Sequence, residues 1–168
     1  MKGAHGTVNG QLPKKITQLR KSSGGVLLNG MIRFLEPEKL EPILRAGYRR
    51  KGTSIPFAIT AFGDILTWED DKYICKVSFR HGKAEVMASG ADYFFEDLDE
   101  DPQYAGKCFE TTLFAEAVER LGVLSDTECY GFVPLEILGG PADVEHLEKV
   151  PYREHLQLLL QLGGSITQ

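Results

Sequence analysis

Between Asp92 and Asp101, six of ten residues are carboxylates: Asp92, Glu96, Asp97, Asp99, Glu100 and Asp101, set around Tyr93, Phe94 and Phe95. Such side chains can hold a hard cation, share a proton in acid–base catalysis, or present negative charge to a basic partner. Asp97, Asp99 and Asp101 occupy the first, third and fifth places of a calcium loop. The sixth place is Pro102 rather than Gly, and the twelfth is Cys108 rather than Glu. The sharp turn and the bidentate ligand are both missing, so no metal site is assigned. Acid–base work needs one carboxyl raised by burial beside another that stays ionised. Acids this closely packed are expected in water, with no pocket placed beside them.

The remaining chemistry-bearing residues form no constellation. His5, His81, His146 and His155 are scattered, without HExxH spacing, and Glu145-His146 and Glu154-His155 read as neighbours on helix surfaces. Nucleophile-elbow, P-loop and dinucleotide-binding signatures are absent. Ser125-Asp126-Thr127-Glu128 reads as a cap or turn, and Gly139-Gly140-Pro141 as a turn. Cys75, Cys108 and Cys129 lie far apart among apolar neighbours and read as reduced, buried thiols. No catalytic residue and no cofactor is assigned, and the chain is expected not to be an enzyme. That leaves the carboxylates as a binding surface. Acids interleaved with rings imitate a nucleic-acid backbone for a basic cleft; the competing reading sends Phe94 and Phe95 into the core while the acids face water.

The charge balance supports two distinct surfaces. Residues 1–52 carry 11 Lys/Arg against 3 Asp/Glu, a balance of +8, whereas the remainder carries 8 against 21, a balance of −13. With 42% hydrophobic and 26% charged residues, the 168-residue chain has the composition of a globular protein rather than a disordered one. No apolar run reaches the roughly 18 residues of a membrane helix. The start lacks an export signal's apolar segment, so a cytoplasmic location is expected.

The elements that position these groups follow from period and punctuation. Residues 1–11 read as a flexible start, followed by a short basic helix from Pro13 to Gly24-Gly25. Residues 26–35 read as two strand pieces around the turn-forming Asn29-Gly30, and Pro37 to about Ala46 as a second helix. IPFAITAF (55–62), ILTWED (65–70), KYICKVSFR (72–80) and AEVMA (84–88) predict an antiparallel meander with one face mostly buried. ADYFFEDL reads as a short helix leading into an acidic loop, DEDPQYAG. Residues 108–121 read as one long helix, with Phe109, Leu113, Ala117 and Leu121 on a single stripe. CYGFVPLEILGG (129–140) reads as extended, and Tyr152 to Leu162 as a leucine-rich helix too apolar to lie in solvent. Gly63 lets the chain leave a strand, and Asp64 is expected to cap that turn. The fold class is α+β: a central antiparallel β-meander flanked by helices at both ends.

Three segments taken together, PFAITAFGDILTWEDDKYICKVSF (56–79), ERLGVLSDTECYGFVPLEILGG (119–140) and KVPYREHLQLLLQL (149–162), resemble the type VI secretion immunity proteins. In these a GAD-like N-terminal region precedes a characteristic C-terminal immunity domain, and NGMIRFLEPEKLEPIL (29–44) resembles the start of the GAD-like part. The resemblance implies a GAD-like region over 12–89 and a mainly helical immunity region over 90–168, packed as one unit. It also implies an antitoxin that binds a cognate toxin, a DNase effector with a basic cleft, and touches neither nucleic acid nor membrane directly. The contact is expected at Asp92, Glu96, Asp97, Asp99, Glu100 and Asp101, joined by Glu69, Asp70 and Asp71. Two alternatives stand beside it: a small-molecule or enzymatic pocket near Trp68 and Tyr130, and a general protein-interaction module.

Overall fold

The computed structural model describes residues 10–168. The expected flexible start falls largely on residues 1–9, outside the described residues. In chain order the helices are α1 (Lys14–Ser22), α2 (Pro37–Gly47), α3 (Phe94–Glu100), α4 (Pro102–Phe109), α5 (Thr111–Leu121) and α6 (Tyr152–Gly163). The strands are β1 (Val26–Leu27), β2 (Ile32–Phe34), β3 (Tyr48–Arg49), β4 (Ser54–Thr60), β5 (Ile65–Glu69), β6 (Tyr73–Ser78), β7 (Lys83–Ser89), β8 (Glu128–Phe132), β9 (Leu147–Pro151) and β10 (Ile166–Thr167).

The expected α+β class and central antiparallel sheet are both present. Six strands pair antiparallel in the order β1-β2-β4-β5-β6-β7. Asn29 and Gly30 both take positive φ, as a primed hairpin turn requires, and the Met31 N–H closes the turn on the Leu28 carbonyl. Asp70 and Asp71 do the same at the β5–β6 tip, without glycine. Two small pairs complete the β structure: β8 with β9 antiparallel, and β3 with β10 parallel. Sequence periodicity gave no sign of β3, β9 or β10, which are short or largely exposed.

Burial of only one sheet face is corrected. Every residue of β5 is buried, and the alternation of its side chains feeds two separate cores. Leu66 and Trp68 join Phe34, Phe57 and Ile74 on one face, under α1, α3, α4 and α5. Ile65, with Ile59 and Val77, packs on the other against Leu40, Leu44, Leu156 and Leu159 of α2 and α6. Helices cover the sheet on both sides, and in β4 Phe57, Ala58 and Ile59 are consecutive buried apolar residues.

Two corrections concern the helices after the sheet. The expected acidic loop is helical on both sides of Asp101, with Asp99 and Glu100 ending α3 and α4 beginning at Pro102; Asp101 accepts hydrogen bonds from the Gln103 and Tyr104 N–H groups. The single helix over 108–121 is broken at Glu110, which sits in the left-handed region at φ 54°. Phe109 and Leu113 keep their spacing across the break, so the apolar stripe conceals it.

Asp64 does not cap its turn. Gly63, at φ 85°, makes the bend, and the Thr60 hydroxyl accepts the Asp64 N–H. The Asp64 carboxylate is buried, and Arg80 binds it through Nε at 3.2 Å and a terminal nitrogen at 2.9 Å. The same guanidinium reaches Glu110 at 2.6 Å and Glu136 at 3.7 Å, and stands 5.2 Å over the Phe62 ring. Burial pushes the Asp64 carboxyl up, but Arg80 more than offsets this and holds it below the ordinary carboxylate value. Stability from this depressed group is present above the unfolded value of about 3.9 and is lost as pH falls through the folded one. Arg80→Ala leaves the carboxylate buried without its cation and is expected to cost about 3–5 kcal/mol near neutral pH. In the variant the carboxyl titrates above its ordinary value, so it becomes neutral on mild acidification. The gap between wild type and variant should therefore narrow between about pH 7 and pH 4, as urea unfolding at each pH would measure.

Candidate interaction surface

The acidic segment adopts the amphipathic solution. Phe94, Phe95 and Leu98 of α3 are buried, and the two phenyl rings pack edge-on or tilted against each other and against Phe34, Phe57 and Phe109. Asp92, Asp97, Asp99, Glu100 and Asp101 face outward, as does Tyr93, which is 76% exposed. The rings therefore anchor the acidic face rather than alternate with it at the surface; Tyr93 is the exception.

Individual acids have different duties. Glu96 clasps Lys15 of α1, which holds its carboxyl below the ordinary value. Asp101 is committed to capping α4. Asp70 forms a two-nitrogen pair with Arg50, at 3.1 and 2.7 Å, and the hydrogen bond from Arg50 depresses its pKa. Asp71 accepts from the Trp68 indole at 3.3 Å. Asp92, Asp97, Asp99 and Glu100 make no ion pair among the described residues.

Glu69 stands apart from the surface set and is corrected to an internal residue, 2% exposed. Arg50 Nε lies 3.1 Å from it, the Thr67 hydroxyl donates to it at 2.9 Å, and the Tyr48 hydroxyl donates at 3.3 Å. Burial, then Glu69, pushes the Tyr48 hydroxyl up. Strand alternation decides this: Glu69 shares a face with Ile65 and Thr67, and that face is covered by α2 and α6. The hairpin tip itself reaches the acidic segment, since the Gly90 N–H donates to the Lys72 carbonyl at 2.6 Å. Asp70 and Asp71 thus lie at the end of the sheet from which the acidic segment departs.

Elsewhere the reactive groups are sequestered. Burial pushes the Cys75 and Cys129 thiols up to about 12, and Cys108 upward, keeping all three protonated. His155 is buried rather than on a helix surface, and burial, with Arg80, lowers its pKa. Among the described residues, no group of three or more His, Cys, Asp or Glu is arranged to hold a metal ion. Trp68 and Tyr130 do not share a cavity: Tyr130 donates its hydroxyl to the Gly122 carbonyl at 2.5 Å and borders a void of about 10 Å³, room for one water. A cavity of about 670 Å³ lies between the end of α1, β2 and the start of α2 on one side and the chain before β8 and the start of α6 on the other. Two of its three lining arginines are already engaged, Arg20 with Glu36 at 2.5 Å and Arg33 with the Ser125 and Glu128 carbonyls, while Arg153 is exposed at the start of α6. No helix of the described residues is long and apolar enough to cross a membrane.

The span holding the outward acids is also the span that a family model matches. Residues 88–163 match the family model described as T6SS immunity protein Tdi1, C-terminal. The Tdi1 match begins within β7 and ends with α6, so the whole 92–101 segment and the Arg80 partners Glu110 and Glu136 fall inside it. Among solved structures, the chain is similar to the crystal structure of Atu4351 from Agrobacterium tumefaciens, with 18% identity and a TM-score of 0.63. That alignment covers 94% of this chain and 85% of the other, a likeness of fold. No curated protein matches the chain.

Asp101 carries both a structural and a candidate contact role, and substitution separates them. Asp101→Ala should cost about 1 kcal/mol through the lost cap and lower the melting temperature by about 2–4 °C in a thermal circular-dichroism scan. Asp101→Asn should retain most of that stability while removing the charge.

Proposed function

We propose that this chain is a type VI secretion immunity protein that binds and neutralises a cognate toxin, a DNase effector, in the cytoplasm of the producing cell. The Tdi1 match over residues 88–163 carries this reading, because it contains the acidic face. The proposal extends the immunity region over 90–168 and assigns 12–89 as a GAD-like region packed with it as one unit. An immunity protein acts by occupation, so the inhibitor needs no catalytic residue.

The electrostatics favour a nuclease as the target. A cleft that holds phosphates is basic, and Asp92, Asp97, Asp99 and Glu100, with Asp70, Asp71 and the capped Asp101 beside them, offer complementary charge. Phe94, Phe95 and Leu98 seat α3 firmly, so few of its backbone degrees of freedom remain to be lost on binding. Glu96 contributes through its clasp on α1, and Glu69 by holding the β5–β6 hairpin in place.

The toxin retained by a tagged copy of this chain from the native bacterium at low salt should be one basic nuclease in stoichiometric amount, released as salt rises. Its DNA cleavage should stop at an equimolar ratio; cleavage undiminished by excess chain would defeat the reading. The Asp97→Lys, Glu100→Lys double variant should slow association about tenfold at low ionic strength, with the difference fading at high salt in stopped-flow measurements. An unchanged rate at low salt would remove the acidic face from the contact while leaving immunity intact.

A further inference from the structure

Beside the acidic face lies a groove of two adjoining lobes, about 580 and 180 Å³, the smaller mainly apolar and the larger mixed, with Asn29 and Thr111 among its apolar side chains. Leu28, Leu98 and Asp99 line both lobes; Phe114 and Val118 of α5 floor the larger, and Leu19 of α1 the smaller. The only charged residues lining either lobe are acidic, Glu96 and Asp99. Leu28 sits at the junction with φ 50°, a left-handed conformation that costs a bulky residue about 1–2 kcal/mol. It is followed by two further positive-φ residues, Asn29 and Gly30. A strained leucine at the junction of the two lobes is the kind of outlier that accompanies a binding site.

We infer that this groove receives a basic amphipathic helix of the toxin, its apolar face in the two lobes and its lysines or arginines against Asp99 and the outward acids of α3. The inference rests on the immunity reading and names the segment that reading leaves open. Leu19, Leu28, Leu98, Phe114 and Val118, shared between the two lobes, suit apolar anchors on one face of a helix. The acidic rim selects the charge of the flanking residues and repels anionic lipid headgroups and nucleic-acid phosphates. The outward acids thereby steer a partner whose affinity comes from apolar burial, a division of labour between rate and lifetime.

A probe exists that does not require the toxin: a synthetic Leu/Lys amphipathic helix of roughly four turns, compared with its Leu/Glu counterpart by isothermal titration. The full chain should bind the Leu/Lys peptide one-to-one and the Leu/Glu peptide at least about tenfold more weakly. Ala115→Arg, at an exposed position lining the larger lobe, and Asp99→Lys should each weaken the Leu/Lys peptide about tenfold or more, with unchanged circular dichroism. Unchanged binding by Ala115→Arg, or equal binding of both peptides, overturns the groove assignment. A groove closed by a second copy would appear in sedimentation as a dimer that Ala115→Arg dissociates, which also overturns it. Saturating Leu/Lys peptide should displace the toxin from the complex. A toxin that binds the peptide-loaded chain unweakened overturns the groove while immunity stands, whereas a free chain that binds no toxin brings down both.

Discussion

The Arg80 guanidinium is the constraint on which the rest of the arrangement depends. It gathers Asp64 from the turn after β4, Glu110 from the junction of α4 and α5, and Glu136 from the segment after β8. These acids are distant in sequence, and no other described cation holds all three. A buried pair adds little net stability over well-packed apolar side chains, but any packing that separates its members is heavily penalised. The α4–α5 junction is thus fixed in position on the sheet as well as attached. The break at Glu110 follows from this: the left-handed residue ends α4 and lets its carboxylate turn toward Arg80 while α5 starts on a new course.

Charge in this protein does two kinds of work. Glu69 with Arg50, Glu96 with Lys15 and Asp64 with Arg80 each join a segment of the acidic majority to a cation, two of them from the basic first third of the chain. The opposed balances of +8 and −13 are therefore partly consumed inside the molecule. Part of what is left over, Asp97, Asp99 and Glu100, stands on the outer side of α3, beside a groove floored by Phe114 and Val118. Long-range attraction and short-range burial stand next to each other on one face.

Much of the fold was legible because it follows local rules. The sheet's inner strands, the Asn29-Gly30 turn, α2, α6 and the inward Phe94 and Phe95 all follow from period, punctuation and the burial preference of aromatic residues. The Asp101-Pro102 pair was also a readable signal, a cap followed by the favoured first helical residue, but the density of acids around it suggested a loop. Other features were not local. Glu69 sits in an acidic triplet, and only the covering of both sheet faces reveals it as internal. The groove joins α1 and the Leu28 turn to α3, α4 and α5, so no window of sequence contains it. Asp64 looked like a turn former because its partner lies sixteen residues away in another strand connection.

The double covering of β5 has an evolutionary reading. A strand with no exposed position offers no neutral sites, so substitutions there are filtered by packing on two sides at once. The outward positions of α3, α4 and α5 carry no such double filter and can change while the interior stays as it is. An architecture of this form separates the part of the chain that must be inherited from the part that can be rewritten. A fold shared at 18% identity is in keeping with that separation of scaffold from surface.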